Sequence, residues 1–551
     1  MKFNIKKTKK GVIQYILPFM VMVSMLVSCT KFLEEKPTAN LTSAYTFTTA
    51  AEGNALVVGG YRNLAGIYTG GGGDYGNYLS CVMEYWAGES YSLDSHPMFL
   101  NFQTNQVAGT MLQNFDNYWN NNYGVVKDCN NAIQKINGIT EYTADDKSKK
   151  MTEVRTLRAL AYFNLVRYYG DVPYDTALST FSASQKPRVS LKKIYDEIII
   201  PDLEFAVNGT KEDIKTDGSI SKNAARAILA DVYLTCAGYP YQEVATDATK
   251  PWCTSGAFSQ QTYPVVSASA AGFLTKAKAL LDALYGKYTL ASTYRDLHDP
   301  AKINNKSESI FQIQQASGLS EMTGFIGATL PPAQKCASIT EYGTLIPTTG
   351  YYNSYDAADL RKQDRTGFFY SNDYQAPQYD ASVFVRFAQP MCFKYYDSVG
   401  LKTSGGHSGL NFTLYRYADI LLMLTEVNWA LTQNGVAVAD ADVTKGINEV
   451  RSRAKLPALA INQISNLTIF SERAWELMFE VKMVWDQRRS RKCLIDGSGA
   501  FGIENFIGHK ATEFNYKFTA QHLLAPISQA EILNNANCLQ NFTYLPKQAG
   551  Q

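Results

Sequence analysis

Charge is scarce in this chain. Charged residues are 19% of its 551 positions, and the formal net charge is +2. The basic patch that neutralises a phosphate backbone is missing, which excludes a nucleic-acid-binding protein of the usual kind. Histidine is scarcer still. His96, His298, His407, His509 and His522 are dispersed and form no HExxH pair, so a zinc site is not expected. There is no P-loop and no GxSxG elbow. The glycine run 70–76 follows no predicted strand and therefore does not read as a phosphate loop. Among nine cysteines no CxxC pair occurs. Beyond Cys29 they lie scattered at 81, 129, 236, 253, 336, 392, 493 and 538, a spacing that predicts no disulfide and suits small buried hydrophobes. No cofactor and no metal is expected.

What is present in quantity is aromatic: 36 Tyr and 27 Phe within a hydrophobic content of 46%. A surface rich in Tyr and poor in charge suits neutral polar ligands. The ring face packs on C–H patches while the phenol still hydrogen-bonds.

The first segment is the most readable. Lys2, Lys6, Lys7, Lys9 and Lys10 precede an apolar run from Gly11 that ends in Leu26-Val27-Ser28-Cys29. This is the layout of a secretory signal, and the cysteine stands where a lipoprotein is cleaved and acylated through its sulfur. Residues 1–28 are therefore expected to be a signal peptide, Cys29 the lipidated residue and 29–50 an acylated tether. Removal of five lysines takes the net charge from +2 to +2 − 5 = −3.

Helical periodicity dominates from Trp119 to about Gly286. Trp119, Tyr123, Val126, Asn130 and Ile133 recur at three and four, as do Val154, Leu157, Ala161, Leu165 and Tyr168. Gly170 as an αL cap and Pro173 stop the second of these helices. Ser190 and Ser221 are expected to cap the next two, the first interrupted at Pro201, and Leu274–Leu284 gives one more. Residues 287–410 change character: Gly, Pro, Ser, Asn and Tyr prevail, and Ser309–Ile313 reads as a strand. Strong helices return at Tyr415–Leu431, Val443–Ala454 and Glu472–Lys492.

The stretch Arg155-Thr-Leu-Arg-Ala-Leu-Ala-Tyr-Phe-Asn-Leu-Val-Arg-Tyr-Tyr-Gly-Asp-Val-Pro-Tyr174 resembles the signature helix of the SusD/RagB family. Ala225-Arg-Ala-Ile-Leu-Ala-Asp-Val-Tyr-Leu234, Arg416-Tyr-Ala-Asp-Ile-Leu-Leu-Met-Leu-Thr-Glu426, Ile447–Ala454, Glu472–Glu480 and Leu524-Ala-Pro-Ile-Ser528 are similar to later blocks of that family. Val481 and Met483 depart from it, standing where Gly and Arg are usual. The resemblance runs from Cys29 to about Tyr544. Glu34 and Glu35, just after the cysteine, look like the family's surface-export signal.

The resemblance implies a mostly α fold: a tetratricopeptide-like helical scaffold with a loop-rich, partly irregular ligand-binding region. It divides the mature chain into a helical-repeat part, 51–286, and a part that is loop-rich and then helical, 287–551. It implies a lipoprotein facing the cell exterior on the outer membrane. Such a protein binds oligosaccharide nutrients and delivers them to a SusC-like TonB-dependent transporter. Peptide capture, as in RagB-type members, and an exported glycan-degrading enzyme are the alternatives. No enzyme is expected, because no nucleophile or acid/base motif falls in a plausible cleft.

Two questions remain for the structure. Glu472, Glu476 and Glu480 recur every four residues, which reads either as a glycosidase carboxylate set or as ion pairs with Arg451, Arg453 and Arg473; the second is preferred. The ligand contacts are expected among loop aromatics with polar neighbours: Asp74, Tyr75, Tyr78, Trp86, Trp252, Tyr342, Tyr351 and Tyr352.

Overall fold

A computed structural model describes residues 46–68, 78–93, 104–105, 110–176, 185–215, 217–244, 261–299, 302, 307–315, 343, 345–371, 375–377, 384–397, 409–495, 501–541 and 544. Residues 48–551 form one compact unit, distinct from residues 1–47.

The scaffold is helical. Its first half contains α1 (Ala50–Tyr68), α2 (Tyr78–Ala87), α3 (Thr110–Ile136), α4 (Ala144–Tyr169), α5 (Leu191–Ile194), α6 (Ile200–Asn208), α7 (Lys222–Cys236) and α8 (Ala268–Leu284). The second half contains α9 (Tyr294–Leu297), α10 (Thr349–Ser354), α11 (Tyr417–Gln433), α12 (Asp440–Arg453), α13 (Asn466–Glu476), α14 (Met483–Ser490) and α15 (Gln529–Asn534). Long helices pack on their neighbours in the chain: α3 on α4, α4 on α6, α6 on α7, α7 on α8, α11 on α12. That serial packing is the pattern of a helical-repeat array. The array is continuous, because α8 also packs on α11.

Local chemistry explains the element ends. Thr143 and Asp146 form a capping box at the start of α4, each side chain accepting the other's backbone N–H at 3.1 Å. Gly170 ends the helix at φ 74°, although its ψ of −124° lies outside the αL well expected for it. Tyr162 and Phe163 are fully buried, so this signature helix is scaffold. Ser221 caps α7 through the Ala224 N–H at 3.0 Å. Ser190 does not cap α5. The carboxylate of Asp171 takes that role instead, accepting the Leu191 N–H at 2.7 Å. The interruption expected at Pro201 appears one turn earlier, as a π turn over Tyr195–Ile199. At Gly446 a Cβ would stand 2.1 Å from the Leu421 carbonyl oxygen, so glycine is what lets α12 lie on α11.

The strands are short. β2 (Ser309–Ile313), the strand expected there, pairs antiparallel with β8 (Phe412–Arg416) through a bulge. β8 claims Tyr415 and Arg416, so α11 starts at Tyr417. β1 (Ser90–Tyr91) pairs with β3 (Ile346–Pro347), and β4 (Phe369–Tyr370) with β7 (Met391–Cys392). β5 (Gln375–Pro377) pairs with β6 (Phe384–Arg386), and β9 (Lys492–Ile495) with β10 (Gly502–Asn505).

The helix expected over Glu472–Lys492 is broken. α13 stops at Glu476, and Phe479 and Val481 take φ values of 57° and 56°, incompatible with a continuing right-handed helix. Cys129, Cys236, Cys392, Cys493 and Cys538 are buried free thiols. Among the described residues no helix is long and apolar enough to cross a membrane.

Candidate functional site

The carboxylates come first, because their geometry decides between chemistry and scaffold. Glu472, Glu476 and Glu480 are buried. Arg416 holds Glu308 and Glu476 at 2.8 Å and Glu480 at 2.9 Å. Arg361 holds Asp359 and Glu472 at 2.7 Å, and Arg453 bridges Glu308 and Glu476. Lys394 reaches Glu480, and Arg451 reaches Glu472 at 2.9 Å. Arg473 pairs elsewhere, with Asp419 at 3.0 Å and Asp486 at 2.7 Å. Burial alone pushes a carboxyl up, but Arg453, Arg416 and Arg361 outweigh it and hold Glu476 at about 2. Arg416 and Lys394 do the same for Glu480. A carboxyl that is already ionised above about pH 2 has no proton to donate at neutral pH. This is a buried lattice that ties Glu308, just before β2, to β8, α12 and α13.

The expected ligand contacts divide into three groups. Asp74, Tyr75, Trp252 and Tyr342, with Cys29, lie outside the described residues. Tyr78 begins α2, but its side chain is not among those described. The remaining three are placed in detail.

Trp86 is core and not a stacking surface. It is 2% exposed, with Tyr168 edge-on at 5.0 Å, Phe115 tilted at 6.0 Å and the Arg488 guanidinium 4.0 Å over its face. Arg488 donates to the carbonyls of Val484 and His522, and burial pushes it down to about 10. Tyr351 is likewise core: its hydroxyl donates to the Ala474 carbonyl at 2.6 Å. Both were expected as contacts on loop composition, and the structure gives both the same placement. Each ring sits on a helix whose inner face it supplies.

Tyr352, the next residue of α10, is the one of the three that is half-buried, at the edge of the core. Its ring meets Phe369 edge-on at 4.9 Å, and the Lys362 ammonium lies 4.8 Å over it. Behind it Tyr355 packs on Phe369 and on Trp475. Trp475 donates its indole N–H to Ser354 at 2.9 Å and stacks on Phe501 at 5.6 Å and 23°. Trp475 and Phe501 are half-buried. The sequence reading did not single out this pair. Trp475 hides inside a motif read as scaffold, and Phe501 follows a glycine-serine stretch with no periodicity to place it. Among the described residues no group of His, Cys, Asp and Glu is arranged to hold a metal ion.

Known proteins decide what fold this is. Residues 338–544 match the SusD family profile, and residues 31–234 match a SusD-like profile described as starch-binding and associating with the outer membrane. The chain belongs to the SusD/RagB family. A SusD superfamily protein from Parabacteroides distasonis superposes with a TM-score of 0.76 at 27% identity, over 92% of this chain and all of its own. The SusD-like protein P2 of Formosa agariphila is 24% identical over 96% of this chain and 99% of its own length. The same fold occurs in surface glycan-binding protein A from Bacteroides thetaiotaomicron, solved in complex with laminarihexaose. That protein has a TM-score of 0.66 and 17% identity, over 90% of this chain and 100% of its own. The SusD fold accounts for the mostly α scaffold and for the family motifs that proved to be core.

Proposed function

We propose that this chain is a cell-surface lipoprotein that captures oligosaccharides and hands them to a SusC-like TonB-dependent transporter in the outer membrane. One observation carries the reading: both parts of the chain match SusD-type profiles, one of them described as starch-binding and associating with the outer membrane. The complex of a fold neighbour with laminarihexaose supports a glycan as the ligand. The chemistry agrees with it: a mature charge near zero, no carboxylate free to catalyse in the Glu472–Glu480 set, and half-buried rings at Tyr352, Trp475 and Phe501. The protein therefore acts by binding. Cys29 provides the anchor, 29–50 the tether, and the parts 51–286 and 287–551 the body that faces outward.

Screening the purified chain, without residues 1–29, against arrayed glycans tests the ligand class. At least one neutral oligosaccharide family should be retained and recovered unhydrolysed. Retention of none, or its conversion to shorter sugars, would overturn the reading.

A further inference from the structure

Two networks of buried ion pairs are each balanced in charge. Arg361, Arg416, Arg451, Arg453 and Lys394 meet five carboxylates, those of Asp359, Glu308 and the Glu472–Glu480 set. Beside this lattice Arg473, Arg489 and Lys482 meet three, those of Asp419, Glu426 and Asp486. Glu84 of α2 belongs to neither network. It is 4% exposed, and no Lys or Arg among the described residues pairs with it. The bond it does make comes from a backbone group, the Val481 N–H in the turn between α13 and α14.

The charged groups that act on Glu84 are Lys394 and Glu480. Lys394 is itself buried and already committed, donating to Glu480 and to the Met478 carbonyl at 2.7 Å. Close by are also Tyr351 of α10, Cys392 of β7 and Tyr395; burial raises all three, so they stay neutral where a carboxyl titrates. α14 packs on α2, but its Asp486 and Arg489 are spent in the second network and its Arg488 lies over Trp86. α1, α3 and β1 also pack on α2 and put no charge on Glu84. One buried cation cannot neutralise two buried carboxylates, and an unneutralised one is costly. Burial pushes Glu84 up and Glu480 adds to it, while the Val481 N–H and Lys394 pull against both without prevailing. What this corner holds is strained. Phe479 and Val481 sit at φ 57° and 56°, which side chains other than glycine rarely adopt. Three contacts keep the turn there: the Val481 N–H on Glu84, Lys394 on the Met478 carbonyl, and the Tyr395 hydroxyl on the Phe479 carbonyl at 2.6 Å. Just upstream, the Tyr351 and Tyr355 hydroxyls donate to the Ala474 and Trp475 carbonyls, so α10 rests on the end of α13.

We propose that Glu84 is a proton-operated latch: neutral, it leaves Lys394 on Glu480 and keeps the turn 477–481 closed on α2; ionised, it competes with Glu480 for Lys394 and releases the turn. The released segment continues α13, so the half-buried rings of Trp475 and, through α10, Tyr352 lose their support. That last consequence rests on the glycan reading above; the latch itself does not.

Pulsed hydrogen exchange on the full chain tests it. Protection is read on the backbone amides of 477–482, with those of α7 as a control, from pH 6.5 to pH 9 and corrected for the intrinsic rate at each pH. In the wild type 477–482 should lose protection by about tenfold or more, around a midpoint near pH 8, while α7 stays protected. Glu84→Gln cannot ionise and should keep its protection throughout. Protection that stays constant in the wild type, or that falls equally in Glu84→Gln, would overturn the latch; the wild-type series decides even where the variant does not fold. Glycan retention over the same pH range reads the consequence, and should weaken in the wild type and hold in Glu84→Gln. Constant retention while 477–482 opens would overturn the link to the rings and leave the latch standing. Retention of no glycan at any pH would count against the glycan reading, with the exchange data still judging the latch.

Discussion

Trp86 and Val481 are buried single residues whose surroundings each make a prediction. Trp86 looked like a sugar platform, but Arg488, Tyr168 and Phe115 already occupy its surroundings. Trp86→Ala should therefore cost stability, about 3–5 kcal/mol, and leave the glycan affinity of the folded protein unchanged. Calorimetric melting and binding on the same preparation check it; lost binding with an unchanged melting point would return Trp86 to the site. Val481 takes φ 56°, a backbone conformation that favours glycine. Strain there is of order 1–3 kcal/mol, offset by burial of its side chain, which is 5% exposed. Val481→Ala keeps the strain and loses methyl contacts, whereas Val481→Gly loses both. At ordinary buried positions Gly is worse than Ala; here chemical denaturation should find the Gly variant at least as stable.

Glu84 completes this corner. It accepts the Val481 N–H and is pushed up to about 8, chiefly by burial and further by Glu480, against the pull of the Val481 N–H and Lys394. A carboxyl raised in the folded state stabilises most below its unfolded value near 4.5, and that contribution is lost as pH rises towards 8. Glu84→Gln removes the ionisation. The melting temperature of the variant relative to wild type should thus climb between pH 5 and about 8 and then level off. A difference independent of pH would contradict the assigned environment.

At the scale of elements, the long helices were legible because apolar spacing and caps agree over many residues. The signature helix, Ser221 cap and strand Ser309–Ile313 are examples. Three features were not legible, each because a distant partner decides it. Asp171 displaces Ser190 as the cap of α5; β2 recruits Tyr415 and Arg416 into β8; and in the turn between α13 and α14, where Phe479 and Val481 adopt left-handed backbone, the Val481 N–H donates to Glu84 of α2. The preference for ion pairing over catalysis held for Arg451 and Arg453, while Arg473 chose Asp419 and Asp486. The lattice makes its own prediction. Arg416→Ala leaves Glu308, Glu476 and Glu480 without one of their buried partners and should destabilise by at least 3–5 kcal/mol. Glu476 and Glu480 are held low in the folded state, so they stabilise above about pH 4.5 and that stability is lost as pH falls towards 2. Wild type should lose its melting temperature steeply over that window. An Arg416→Ala variant with wild-type stability would show that the lattice contributes little.

For the whole molecule, the family and its scaffold were readable because many motifs in order are harder to imitate than any one. The binding surface was not, because aromatic composition does not tell a buried ring from a half-buried one: Tyr351 is buried and its neighbour Tyr352 is half-buried. The central claim is that a nearly neutral protein holds a neutral oligosaccharide by stacking and hydrogen bonds. Exposed charges are screened over about 8–10 Å in ordinary buffers, so an ionic site weakens with salt and a stacking site does not. Titration calorimetry of the retained oligosaccharide across a salt series measures this directly. The account predicts an affinity that stays constant as salt rises, weakened by substitution of exposed rings and untouched by Trp86→Ala. Affinity that falls steeply with salt, or binding of charged ligands alone, would contradict it.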